Sequence, residues 1–277
     1  MSGHNSLLFV PSGGLANRMR AVVSAYNLSL HTGVGLRVLW FRDWALDAPF
    51  HEIFKPISEI DIREGVSLTD KLLYDRPRKK NFWIPKLFQK LIFEQRLDEP
   101  MVTPLKKKNF DFDSWARGKK SWMSCYQVFG NPDDKLYSQL FHPVDAVMNQ
   151  VEDYEKRFSP HTIGFHIRRT DNAASIDQSP IELFIDAGKK EINLHDDTAI
   201  YVATDDEPTK SELRRQFGDR LITPSEAASR SSVDGIRGGL VDMYTLAKTQ
   251  TIYGSAGSSF SPMAARIGGN KLVILQK

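Results

Sequence analysis

The chain has 277 residues, 41% of them hydrophobic, which is enough to bury a core in one large domain or two modest ones. Its net charge of +3 suits an anionic small ligand but is too weak to imply a nucleic-acid partner, so no nucleic acid is expected. The single cysteine, Cys125, excludes an internal disulfide, and no apolar run reaches the roughly 18 residues of a membrane helix. Ser6–Val10 is too short for a signal-peptide core, and the expectation is a cytoplasmic protein.

The elements follow in chain order. Leu7–Val10 reads as a strand, Pro11–Gly14 as a tight loop, Leu15–Leu30 as a helix and Leu36–Phe41 as a second strand. The pattern then degrades. From Tyr74 to Lys108 there are ten Lys and Arg against four acids. Ser121–Phe129 reads as a strand, and Val144–Phe158 as a helix linking two halves. His161–Ile167, Thr198–Thr204, Arg220–Thr223, Thr251–Tyr253 and Leu272–Leu275 read as strands. Between them, Ile181–Lys190, Glu207–Phe217, Leu240–Lys248 and Ser261–Ile267 carry helical spacing. Strands alternating with helices predict an α/β fold with parallel sheets. The expected architecture is two Rossmann-like lobes facing a cleft, with the boundary near residue 155.

Four loops carry candidate chemistry. In Pro11–Arg20 (PSGGLANRMR), glycines let backbone approach a ligand at a helix N-terminus. Gly14, Asn17 and Arg18 are the candidates there, against a plain structural turn. The sharpest motif is His166-Ile167-Arg168-Arg169-Thr170-Asp171, at the carboxyl end of a strand, where open α/β sheets bind ligands. Period-two alternation sends His166 and Arg168 one way and Arg169 the other. One guanidinium can clamp a diphosphate through two parallel hydrogen bonds, while the other pairs with a carboxylate and braces the loop. Asp205 and Asp206, ending the next strand, could accept from a base or sugar, bind a metal, or cap the following helix. Finally Tyr253–Pro262, with Ser258, Ser259 and Phe260, makes a strand–loop–helix cradle suited to phosphate, or else an ordinary polar loop.

In this order these motifs resemble the fucosyltransferase superfamily, which holds the α1,2-, α1,6- and protein O-fucosyltransferases and the nodulation fucosyltransferases. GGLANRM is similar to its amino-terminal glycine loop, HIRRTD to its HxRRxD segment, and ATDDE with Asp242–Arg266 to its carboxyl-terminal motifs. The resemblance is silent between about Trp44 and Pro160. It implies a GT-B-like pair of lobes, with residues 1–155 on the acceptor side and 156–277 on the donor side. It also implies GDP-fucose as donor, a glycan hydroxyl as acceptor, inversion at the anomeric carbon, and no cofactor or metal. Arg168 would then hold the diphosphate, with His166 and Asp206 near guanine or ribose. Ser258, Ser259 and Phe260 would line the donor pocket, and Asp242 would be a structural or donor-side carboxylate. Arg169, Asp205, Gly14 and Arg18 complete the implied donor set. The chain departs from the family pattern at Ala16 and Arg18, and lacks a glutamate after HIRRTD. For help in removing the acceptor proton, Asp177 or Asn17 stands nearest the motif positions.

Two other readings stay open. One is a non-catalytic or different-sugar nucleotide-sugar binding protein on the same scaffold. The other, a nucleotide-dependent oxidoreductase, is disfavoured by the missing GxGxxG fingerprint. The segment 81–97 places Ile84, Leu87, Phe88, Leu91 and Ile92 on one helical stripe, with Lys86, Lys90 and Arg96 around it. Either that stripe packs on the first lobe, or the segment meets an anionic acceptor, such as a lipid-linked glycan at the inner membrane face, and with it an anionic membrane surface.

Overall fold

The computed structural model describes residues 5–169, 173–224 and 231–277. The chain divides into two compact units, Met1–His142 and Pro143–Lys277.

In the first unit the described elements are β1 (Ser6–Pro11), α1 (Leu15–Thr32), β2 (Gly35–Trp40), β3 (Asp61–Glu64), α2 (Leu68–Leu73) and α3 (Ile84–Ile92). They continue with β4 (Gln95–Leu97), α4 (Glu99–Lys107), α5 (Phe112–Ala116), β5 (Lys120–Cys125) and α6 (Lys135–Leu140). The sheet order is β3-β2-β1-β5-β4, and every pairing is parallel. Strand β1 sits centrally because Leu7, Phe9 and Val10 are all buried, and a parallel strand covered on both faces must be apolar throughout. The chain passes from β1 to β2 on one side and later to β5 on the other. The switch point therefore lies at the carboxyl ends of β1 and β5. The one cysteine closes β5: it is fully buried, its sulfur exchanges hydrogen bonds with Gln127, and burial pushes the thiol up.

The second unit opens with α7 (Asp145–Glu155), β6 (Thr162–Ile167), α8 (Ala173–Gln178), α9 (Ile181–Leu194), β7 (Ala199–Thr204) and α10 (Glu207–Phe217). It closes with β8 (Leu221–Ile222), α11 (Val233–Leu246), β9 (Thr251–Ser255), α12 (Phe260–Gly268) and β10 (Lys271–Leu275). Its sheet runs β10-β9-β6-β7-β8, again all parallel. All six residues of β6 are buried. On one face Ile163, Phe165 and Ile167 pack with Phe184 of α9 and with Leu213 and Phe217 of α10. Each such large side chain contributes on the order of 2 kcal/mol by leaving water. The other face meets α11 and α12. Helix α7 packs against α11 and so belongs to this unit, not to the first one as the boundary near 155 implied.

Most elements fall where periodicity puts them. Strands β3 and β4 were not expected. They are sheet-edge strands of four and three residues, reading DIRE and QRL, too short and polar to show alternation.

Candidate active site

The second unit's switch point lies between β6 and β9, where the chain crosses from one side of β6 to the other. Three motif loops converge there. His166, the fifth residue of β6, is in register with Ala203 of β7 and Gly254 of β9, so small neighbours flank it. Phe260, the first residue of α12, stacks on the imidazole at 4.7 Å and 18°. A side chain at position 254 would sit 2.3 Å from Ser261 Oγ, so glycine is what lets α12 start this close to β9. Burial, then the positive charge of Arg168, holds His166 down at about pH 4. At neutral pH it is an uncharged ring, and its buried Nδ1 has no hydrogen-bond partner among the described residues.

Arg168 and Arg169 part company, as the alternation predicts, but their partners differ from expectation. The carboxylate belongs to Arg168, whose Nε lies 3.5 Å from Asp205 Oδ2. Its backbone N–H donates to Ser255 Oγ at 3.2 Å. Arg169 braces through main chain instead: Nη2 donates to the Ser179 carbonyl at 2.8 Å and Nη1 to the Arg168 carbonyl at 3.3 Å. Its backbone N–H donates to Asp205 Oδ1 at 2.9 Å. Arg169 also lines an open depression of about 390 Å³ with Glu182, Asp206 and Glu212, which Arg168 does not join.

The two aspartates separate in role. Asp206 caps α10, its Oδ2 accepting from Thr209 N–H at 2.9 Å and Thr209 Oγ1 at 2.6 Å. Asp205 holds the arginine loop. Asp242 sits on α11, buried, and accepts from the Tyr201 hydroxyl at 2.7 Å. Burial raises it to about 7. Of the two roles left open for Asp242, its surroundings are those of the structural carboxylate. At the head of α12, Ser259 makes no side-chain cap, while Ser258 Oγ accepts from Phe260 N–H at 3.2 Å. Hydroxyls and a helix N-terminus thus follow the strand end whose Ser255 takes the Arg168 amide, a combination that favours an anionic ligand. Asp177 lies on α8 and is exposed. Thr170 and Asp171 of the same motif lie outside the described residues.

In the first unit, Gly13 is the glycine that the turn requires, at φ +79, whereas Gly14 is the ordinary extended N-cap of α1. Asn17 folds over Gly13, its Oδ1 buried without a partner among the described residues. A carboxamide can orient a hydroxyl but cannot take its proton, so Asn17 is no base. Arg18 is fully buried. Its guanidinium donates to the carbonyls of Gly13 (2.8 Å) and Phe41 (2.5 Å) and to Asp43 Oδ1 (3.0 Å), over the Trp40 ring at 4.8 Å. Burial lowers it to about 10, so it stays charged. That geometry spends its donors inside the unit, and it braces the glycine loop instead of facing a donor.

Sequence reasoning missed Ser179 and Asp43, and gave Ser255, inside the cradle motif, no role of its own. Ser255 takes the Arg168 amide, and Ser179 ties three strands' ends together. Its carbonyl receives Arg169, while its hydroxyl accepts from Ala256 N–H at 2.8 Å and donates to the Leu275 carbonyl at 2.6 Å. Asp43 anchors Arg18 and, at 2.6 Å, Arg76. A lone serine before a proline gives little signal, but an aspartate between a strand and Trp44 could have prompted a search for its cation.

No family model matches the chain, and no curated protein matches it in sequence. Solved structures do match in fold. NodZ α-1,6-fucosyltransferase soaked with GDP-fucose superposes at a TM-score of 0.66 with 16% identity, covering 95% of this chain and 92% of that one. Fucosyltransferase NodZ from Bradyrhizobium gives 0.63 and 14%, over 94% and 92%. POFUT1 in complex with GDP-fucose gives 0.59 and 8%, over 98% of each. The chain has the fold of these fucosyltransferases: mixed α/β, with two five-stranded parallel sheets.

Proposed function

We propose that the chain is an inverting glycosyltransferase that moves fucose from GDP-fucose to a glycan hydroxyl, without a metal. The observation that carries this reading is the convergence of Arg168, neutral His166 with Phe260, and the serine-bearing head of α12 at one switch point, in a fold shared with fucosyltransferases solved with GDP-fucose. Arg168 would offset charge on the departing diphosphate, and the α12 N–H groups and serines would hold its oxygens. The second unit would carry the donor and the first unit the acceptor. Asp177 is the candidate base, Asn17 a group that orients the acceptor.

The test is a thermal-shift screen with GDP, GDP-fucose, UDP, ADP and NAD, with and without EDTA, followed by GDP release from GDP-fucose. GDP and GDP-fucose should stabilise the chain most, chelation should change nothing, and GDP release should be measurable. Preference for UDP, or loss of binding on chelation, rejects the donor. Arg168→Ala should keep the fold and lose on the order of 3 kcal/mol at the transition state, roughly a hundredfold in turnover. Near-normal turnover removes the clamp role.

A further inference from the structure

Helix α3 is built inside out. A surface helix ordinarily turns its apolar stripe inward and its polar residues to water. Here the buried positions are Pro85 and Gln89. Gln89 is 1% exposed and its Nε2 donates to the Asp75 carbonyl at 2.9 Å. Leu87, Phe88 and Leu91 face out instead, at 65%, 39% and 86% exposure. The stripe that either packs on the first lobe or meets a partner is therefore largely left to solvent.

The turn before α3 adds two aromatic rings to the same run. Phe82 and Trp83 are 80% and 52% exposed, and both adopt positive φ, 51° and 55°. Side chains other than glycine rarely take that conformation, and two in succession need enforcement. The enforcement is visible. Asn81 Nδ2 donates to the Arg76 carbonyl at 2.8 Å, and Asn81 Oδ1 accepts from Arg78 N–H at 2.9 Å. The amides of Phe82 and Trp83 donate to the carbonyls of Lys79 and Arg78 at 3.0 and 3.1 Å. Arg78 is in turn fixed to buried Asp75 at 2.7 Å. The rings are thus held out by a braced turn.

Five of the fourteen large exposed hydrophobics among the described residues lie within these ten positions, a clustering that marks an interaction site. Exposed Lys79, Lys80, Lys86 and Lys90 border them. An apolar face rimmed by lysines is the pattern of a helix lying in a lipid interface. A second copy of the chain fits poorly, because a two-fold contact through this face would set the lysines against their own images.

We propose that the 79–91 segment docks this protein on an anionic phospholipid bilayer. Phe82, Trp83, Leu87 and Leu91 enter the headgroup boundary, and the four lysines lie on the lipid phosphates and carboxylates. This docking is independent of the donor chemistry.

The experiment is sedimentation of the full chain with vesicles of phosphatidylcholine alone or mixed with phosphatidylserine. The chain should sediment with the mixed vesicles only, and less so as salt rises. Replacing Lys79, Lys80, Lys86 and Lys90 with Gln should weaken partitioning by about fivefold per lysine. Leu87→Ser with Leu91→Ser should abolish it while the lysines remain. Both variants change exposed side chains, so their melting curves and any response to GDP should match the parent. Equal sedimentation with both vesicle types, sedimentation with neither, or full binding by the leucine variant overturns the proposal. So does a concentration-dependent dimer that the leucine variant abolishes.

Discussion

Replacing Asp242 with Asn should remove a pH-dependent weakness from the second unit. The carboxyl is buried on α11 against Tyr201, and burial lifts it from 3.8 to about 7 in the folded chain. Folding therefore favours the protonated acid. Asp242's contribution is full below pH 3.8, is lost as pH rises toward 7, and stays lost above it. At about 1.4 kcal/mol per pH unit, that interval amounts to on the order of 4 kcal/mol. Asparagine keeps an oxygen for the Tyr201 hydroxyl and does not ionise, though its new N–H donors cost about 1–3 kcal/mol if unpaired. The variant should be the weaker protein near pH 4 and gain about 4 kcal/mol on the parent by pH 8. Urea unfolding followed by circular dichroism at each pH measures this directly. Amide exchange of the β7 residues in parent and variant localises it. A stability difference that stays constant from pH 4 to 8 would refute the argument. Retained GDP binding by the variant would further separate Asp242 from the donor site.

Arg18→Met should lower stability by about 3 kcal/mol, because it strips a buried partner from Asp43 and leaves the Gly13 and Phe41 carbonyls unmatched; a urea midpoint within error of the parent would contradict this. Gly13→Ala should lose at least about 1 kcal/mol, having φ +79 and Asn17 3.0 Å from the new methyl, while Gly14→Ala, with its nearest neighbour at 3.7 Å, should lose under about 0.5. Equal melting temperatures for the two would sink the distinction. Phe260→Ala should uncover the His166 ring and move its titration from about 4 toward 6.5, read by NMR of the ring protons. An unmoved titration would show that the stack does not set the burial.

Helices and central strands were legible because their signals are redundant. The run from Thr162 to Ile167 is buried on every side, and that is written in its composition. The switch-point loops were legible for a related reason, since glycine, serine and paired arginines mark turns at strand ends. What each residue does there was not. Whether Asp205 or Asp206 caps depends on one residue of register, and Arg18 looks the same in sequence whether it faces ligand or core. Only the position of Asp43, 25 residues on, decides that. The orientation of α3 was equally hidden: the stripe of Leu87, Phe88 and Leu91 is the same on either side of a helix. Gln89, buried against a carbonyl 14 residues away, settles which side faces in.

The state of Cys125 has a practical use. A thiol this buried, with its ionisation pushed up by burial and by Glu99, offers almost no thiolate at neutral pH, and thiolate is the species that alkylating reagents attack. The chain therefore starts chemically silent toward maleimides without any cysteine being removed. A cysteine installed at Leu30 or at Leu194, both exposed and one in each unit, would take up a single dye per site. A donor and acceptor fluorophore on that pair would follow the separation of the two units in solution as nucleotide is added.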